Sequence, residues 1–303
     1  MRPNAFRRLR LALAVAGLLG AAVPAAAAPG RSGPAAPTGG QETVRAMTYN
    51  IHAGAGHDGR LDLERTAGTI EAARPDVVAL QEVDVHWGER SAWQDQAATL
   101  AERLDMGLFF GHIYDLPGVT PQSPRRRFGV ALLSRLPVLA AENHELTRLS
   151  TQERNAEPAR APGFPEITVD LRGTRLHVYG THLDYRADPS VRGTQIADTL
   201  RILGRDGDDP QLLLGDFNAE PAAPELAPLW GRMTDACAVA GPCAKTYPAR
   251  DPVKHLDYVT ASAGIRTLHV DVPESSASDH RPVVADLAVP RTAPRGRPRP
   301  PSG

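Results

Sequence analysis

Three hundred and three residues suffice for one large domain or two small ones, and 42% hydrophobic with 23% charged residues is ordinary globular composition, which excludes a largely disordered chain. The formal net charge of −1 hides an asymmetry: residues 1–28 and 291–303 each carry four arginines and no acid, and setting these eight aside leaves 26 basic residues against 35 acidic ones. So acidic a centre excludes a non-specific nucleic-acid coat, which needs a basic face to displace counterions, but it leaves room for an enzyme that meets phosphate through a bound metal.

Residues 1–28 read as an export signal. Arg7, Arg8 and Arg10 precede an apolar run from Leu11 to Val23, and the small residues Ala25 to Ala28 fit a cleavage site. The apolar run is too short to span a bilayer comfortably. Residues 29–42 are Pro, Gly and Ala with hardly any apolar anchor, and are expected to form a flexible lead-in. Residues 43–290 then read as one domain, with no second linker and no internal repeat.

Within that domain, strands are predicted over 44–51, 76–83, 128–134, 166–171, 175–183, 211–217, 256–262 and 282–289, each rich in Val, Leu, Ile and aromatics and bounded by turn residues. Apolar residues three and four apart predict helices over 62–73, 94–104 and 191–205. Many strands are apolar on both faces, as in covered sheets, while RLHVYG (175–180) alternates as a hairpin strand does. A sandwich of two sheets with helices outside fits this mixture. Cys237 and Cys243 are the only cysteines; six apart in an exported chain, they read as one local disulfide or as two buried thiols. Residues 291–303 form a Pro/Arg tail unable to bury a core.

The chemistry lies in the polar residues that interrupt or end the strands: Asn50, Gln81 and Glu82, His182 and Asp184, Asp216 and Asn218, Asp257, and then Asp279 and His280 just before the last strand. Burying such groups is costly unless they are paired or bound to a cation. Each alone has a structural explanation, as a solvated turn, an Asx turn, a cap or a hydrogen-bonded core histidine. Their recurrence in one domain points instead to one hard-oxygen site, with Asn50, Glu82, Asp216, Asn218 and Asp279 about a divalent metal and two histidines beside it. Oxygen ligands favour Mg²⁺, Mn²⁺ or Ca²⁺ over zinc.

YNIH, LQEV, THLD, GDFN, HLDYV and SDHRPVV, in this order from Val44 to Val289, resemble the endonuclease/exonuclease/phosphatase superfamily. The resemblance implies a four-layer α/β sandwich, two mixed sheets face to face flanked by helices. It also implies roles. Glu82 resembles the principal metal-ligand glutamate, with Asn50 beside it and Asp279 contributing. Asp216 and Asn218 resemble the pair that orients the attacking water and holds the phosphate. Asp257 and His280 resemble the pair that serves as or positions the general base, and His182 the histidine that meets the phosphoryl oxygens or protonates the leaving group. Two departures set the chain apart from the repair nucleases: Val130 stands where many exported members carry Asn, and His52 where the repair branch carries Asp.

The wording of these motifs is closest to exported sphingomyelinase-like and phospholipase-C-like members. The expectation is a secreted, Mg²⁺-dependent hydrolase (Mn²⁺ or Ca²⁺ as alternatives) of a phosphodiester in a lipid headgroup or small organic phosphate. A secreted nuclease is the alternative, and a catalytically dead binding module is disfavoured because no motif residue is missing. The chain is expected to act as a monomer without a protein partner. Trp87, Trp93 and Trp230 offer a transient contact with a membrane surface, or plain packing.

Overall fold

A computed structural model of the protein describes residues 40–241 and 243–291. The predicted export signal, nearly all of the lead-in and the tail beyond Arg291 lie outside the described residues. The strand β1 (Gln41–Asn50) starts inside the segment read as lead-in: Glu42 is buried there, held by Arg172 and Arg291 at 2.9 and 2.5 Å. There follow α1 (Leu63–Ala73), β2 (Val77–Val85), α2 (Gln96–Leu104), β3 (Gly107–Leu116), β4 (Arg126–Ser134), β5 (Val138–Arg148), β6 (Ala159–Leu171), β7 (Thr174–His182) and α3 (Ser190–Leu203). The described chain continues through β8 (Gln211–Asp216), α4 (Ala227–Trp230), β9 (Met233–Asp235), α5 (Ala236–Ala240), β10 (Asp257–Ser262), β11 (Arg266–Asp271) and β12 (Val283–Pro290).

The strands form two six-stranded sheets, ordered β11-β12-β1-β2-β4-β3 and β5-β6-β7-β8-β10-β9. Each contains one parallel pair, β1 with β2 and β7 with β8; α1 bridges the first pair and α3 the second. Strand periodicity then builds the layers. Val44, Ala46, Val77, Ala79 and Leu132 of the first sheet share one core with Ile167, Leu176, Val178, Leu212, Leu214 and Val259 of the second. The intervening residues face outward: Met47, Tyr49, Val78 and Leu80 pack with Ile70 and Leu100 of α1 and α2, and Tyr179, Leu213 and Tyr258 with Ile196 and Leu203 of α3. The four-layer α/β sandwich with two mixed sheets is therefore the observed fold.

Eight strands and three helices lie where the sequence predicts them, most within three residues at each end, although β6 begins seven residues before the predicted 166–171. Asp62 and Asp95 cap α1 and α2, accepting from the Arg65 and Ala98 N–H groups. The helix predicted over 191–205 closes at Leu203 into a 3₁₀ turn. Of the tryptophans, Trp230 stacks on Phe217 and Trp87 packs on Tyr114 and Phe128; only Trp93 is exposed.

Cys237 and Cys243 form a disulfide. It ties Cys237 of α5 to Cys243 and closes a short loop, so constraint of the unfolded chain is worth about 2 kcal/mol. Converting both cysteines to serine is expected to lower Tm by about 4–8 °C in calorimetry. An unchanged Tm would show that the loop is held without the bond.

Candidate active site

The periodicity that separates the layers also selects the site. Asn50 continues the inward-facing series Val44, Ala46 of β1; His182 continues Leu176, Val178 of β7; Asp216 continues Leu212, Leu214 of β8. Each ends its strand, so their side chains meet where the inter-sheet core opens. Asp257 starts β10 in register with Asp216.

Glu82 needs a further device. Between Leu80 and Val83 the β2–β4 register slips, so that Gln81 and Glu82 together face Val130, and Glu82 takes φ 56°. Such a bulge re-aims a side chain. Here it brings the Glu82 carboxylate to Asn50, whose Nδ2 donates to Glu82 Oε1 and to Asp216 Oδ2, both at 3.1 Å. One amide thus gathers two carboxylates from different sheets. The Asn50 Oδ1 accepts from the His52 N–H at 3.0 Å, and Ser278 Oγ donates to the Asn50 carbonyl at 2.7 Å.

Asp216 is the hub. His182 Nε2 and His280 Nε2 each lie 3.7 Å from its Oδ2, and the Asn218 N–H donates to its Oδ1 at 2.8 Å. Asn218 holds φ 50° and its side-chain amide donates to the Leu183 carbonyl. His280 Nδ1 pairs with Asp257 Oδ2 at 2.9 Å, while Asp257 Oδ1 is buried without a partner. Tyr247 packs its ring on His280, with centroids 4.7 Å apart. Asp279 lies at the rim, 3.6 Å from His52 Nδ1, with no hydrogen bond to Glu82 or Asp216 among the described residues.

Burial raises the Asp216 carboxyl above its ordinary range, and neighbouring Asp257 adds to that. Burial pushes Glu82 the same way, but His182 and the Asn50 donor outweigh it and hold the carboxyl below its usual value. For His280, burial disfavours the charge, yet Asp257 and Asp216 carry the ring up to about 10. The cleft is a concentration of buried negative charge that the histidines only partly balance. A divalent cation suits it: two carboxylates share one amide, a third keeps an unpartnered buried oxygen, and hard oxygen donors dominate. Asp216, Asp257 and His280 also bring ligand atoms within 4.8 Å of one another.

Residues 47–280 match the model of the endonuclease/exonuclease/phosphatase family. The chain belongs to that family. Its members are phosphoester hydrolases that generally use divalent metals. Among solved structures it is similar to a family protein from Beutenbergia cavernae, with 26% identity over 82% of this chain and 72% of that one, and a TM-score of 0.63. Two further likenesses concern the fold alone. The mannosyl-6-phosphatase of Bacteroides thetaiotaomicron is 15% identical, covering 80% and 99% of the two chains at a TM-score of 0.60. The human Nocturnin catalytic domain with bound sulfate is 21% identical, covering 82% and 94% at 0.59. No curated protein sequence matches the chain.

Three contributors carried no role of their own in the sequence, although Ser278 and Gly215 stand inside the SDH and GDFN motifs. Ser278 was legible only as a cap. Arg148, on β5, belongs to no motif; it donates to the carbonyls of Pro162, His182 and Gly163 at 3.0, 3.2 and 2.8 Å and so pins the backbone of His182. Gly215 precedes Asp216 opposite Thr181, and a Cβ there would overlap the Thr181 carbonyl oxygen. Gly215→Ala is expected to push β8 from β7, misplace Asp216 against His182, and lower both Tm and phosphoesterase turnover. Unchanged turnover would show that the spacing is slack. Val130 is fully buried on the inner face of β4 beneath the Glu82 bulge, so the position of the missing Asn is filled by packing.

Proposed function

We propose that the protein is a secreted, divalent-metal-dependent phosphodiesterase acting on a lipid headgroup or a small organic phosphodiester. The observation that carries this reading is the convergence on Asp216 of Asn50 with Glu82 from one side and of His182 and His280 from the other. Glu82, Asn50 and Asp216 would hold the cation, with Asp279 contributing from the rim. When bound, it neutralises the phosphodiester's charge and stabilises the charge that develops in the transition state.

The chain's own groups do the remainder. Asp257 fixes the His280 ring through Nδ1, so Nε2 faces the cleft; with Asp216 engaged by a cation, the ring would lose part of the negative charge that holds its proton and could take one from the attacking water. Asp216 and Asn218 orient that water and the phosphoryl group. His182, across from His280, meets the phosphoryl oxygens or protonates the departing alkoxide. Export is supported by the apolar N-terminal run and by the disulfide; no helix among the described residues is long and apolar enough to cross a membrane. Mg²⁺ is the preferred metal, with Mn²⁺ and Ca²⁺ as alternatives. The enzyme acts as a monomer, and any transient contact with a bilayer falls to Trp93.

The test is hydrolysis of bis(p-nitrophenyl) phosphate by the exported protein with Mg²⁺, Mn²⁺ or Ca²⁺ and with EDTA. Release of p-nitrophenol that chelation abolishes and metal restores is expected; release indifferent to EDTA overturns the metal. Plasmid nicking faster than headgroup release overturns the substrate class.

A further inference from the structure

Beside Glu82 and His182 a cavity of about 200 Å³ runs between the ends of the two sheets. That is below the ~300–1,000 Å³ of pockets for drug-sized ligands, and it suits a single ring. One wall is aromatic. Tyr114 and Phe128 stack with centroids 6.2 Å apart, Trp87 packs behind both, and Tyr114 Oη is fixed 3.0 Å from Thr151 Oγ1.

The other wall is cationic. Arg148 and Arg186 both line the cavity. Arg186 is matched by Asp184. Arg148 is not: its three hydrogen bonds all go to main-chain carbonyls, and among the described residues no carboxylate lies within ion-pair distance of it. Burial lowers its pKa to about 10, still well above neutral pH, so the charge persists with Asp184 near but no carboxylate in direct contact. A desolvated guanidinium in that state attracts an anion strongly.

We propose that this cavity selects the substrate: it takes a ring, laid on Tyr114 and Phe128, that carries a second anionic group paired with Arg148. This deepens the phosphodiesterase reading and rests on it. Two carboxylates also line the cavity, but Glu82 is taken by Asn50 and Asp184 by Arg186, so a quaternary ammonium group would be set against Arg148 without a free carboxylate to hold it. Within the lipid-headgroup class the inference therefore separates acidic ring headgroups from choline.

Three diesters with one scissile linkage test it: glycerophosphocholine, glycerophosphoinositol and glycerophosphoinositol 4-phosphate. For the wild-type chain kcat/KM is expected to rise in that order, with KM for the 4-phosphate lower than for the neutral ring by roughly tenfold, as one charge-assisted contact gives. In Arg148→Lys and Arg148→Met, KM for the 4-phosphate is expected to rise, more in the second, until the charged and neutral rings are alike. Thermal melts identify a variant that has not folded, and the wild-type ranking stands without either variant. Choline turned over as well as the 4-phosphate, or no charge preference at all, overturns the cavity's role while leaving the hydrolase reading intact. No hydrolysis of these esters or of bis(p-nitrophenyl) phosphate with any of the three metals overturns both. Comparing vesicles of phosphatidylinositol 4-phosphate with its deacylated form tells whether the acidic ring is met in a bilayer or free, and preferential turnover of either supports the proposal.

Discussion

His280→Ala is expected to lower kcat on bis(p-nitrophenyl) phosphate by about 10²–10⁴-fold, the range for loss of a positioned general base, with a much smaller change in KM. The ring is placed for proton transfer, since Asp257 holds one nitrogen at 2.9 Å and the other faces Asp216 across 3.7 Å. The measurement is steady-state kinetics at saturating metal, with the far-ultraviolet dichroism and melting curve of the variant alongside. A folded variant that keeps kcat within about tenfold removes His280 from the chemistry. Asp257→Asn is expected to fall in the same direction, because the amide would no longer hold the ring as the carboxylate does.

The second large effect concerns stability. On the outer face of the second sheet, Glu166 of β6 lies between His144 of β5 and His177 of β7, each 2.6 Å from one of its oxygens. Glu142 sits 3.0 Å beyond His144, and Asp209 3.7 Å beyond His177. Carboxylates and imidazoles thus alternate across three strands. Burial works against the Glu166 charge, but the two histidines hold its carboxyl down at about 2. For His177 burial likewise opposes the charge, and Glu166 with the neighbouring aspartates raises the ring above its ordinary value.

Glu166→Gln removes the shared acceptor from two buried rings. The expected cost is about 3 kcal/mol, or a fall in Tm of about 6–12 °C at pH 6. The effect has a definite pH window. Stability from Glu166 is full above its ordinary pKa of 4.5 and is lost as pH falls through about 2. That from His177 is full below its ordinary 6.5 and is lost as pH rises through the raised value. The Tm gap between wild type and variant should therefore be widest between about pH 4.5 and 6.5 and narrow on both sides. A gap that is constant with pH would assign the loss to packing.

How far the sequence discloses this molecule depends on where each strand sits. The eight strands legible in it are interior to their sheets, with apolar residues on both faces. The four that escaped, β3, β5, β9 and β11, are the four sheet edges. An edge strand has one neighbour and is half in water; in β5 and β11 most side chains are exposed, so little apolar pattern is imposed on them. The site was legible because its residues end those interior strands, where a carboxylate or imidazole stands out against Val and Leu. Arg148 was illegible for the same reason that β5 was. The bulge at Glu82 left no trace either, since a slip in pairing is a property of two strands and not of the Gln81–Glu82 dipeptide.

Asn50 and Glu82 come from one sheet and Asp216 and His182 from the other, so any ligand they grip together is a clasp across the sandwich. Occupancy should then protect amides of β2 and β8 from exchange in concert and raise the melting point with ligand concentration as mass action requires. Conversely, a substitution that lets the sheets slide past each other would loosen the clasp, and weaken affinity for metal, well before the chain unfolds.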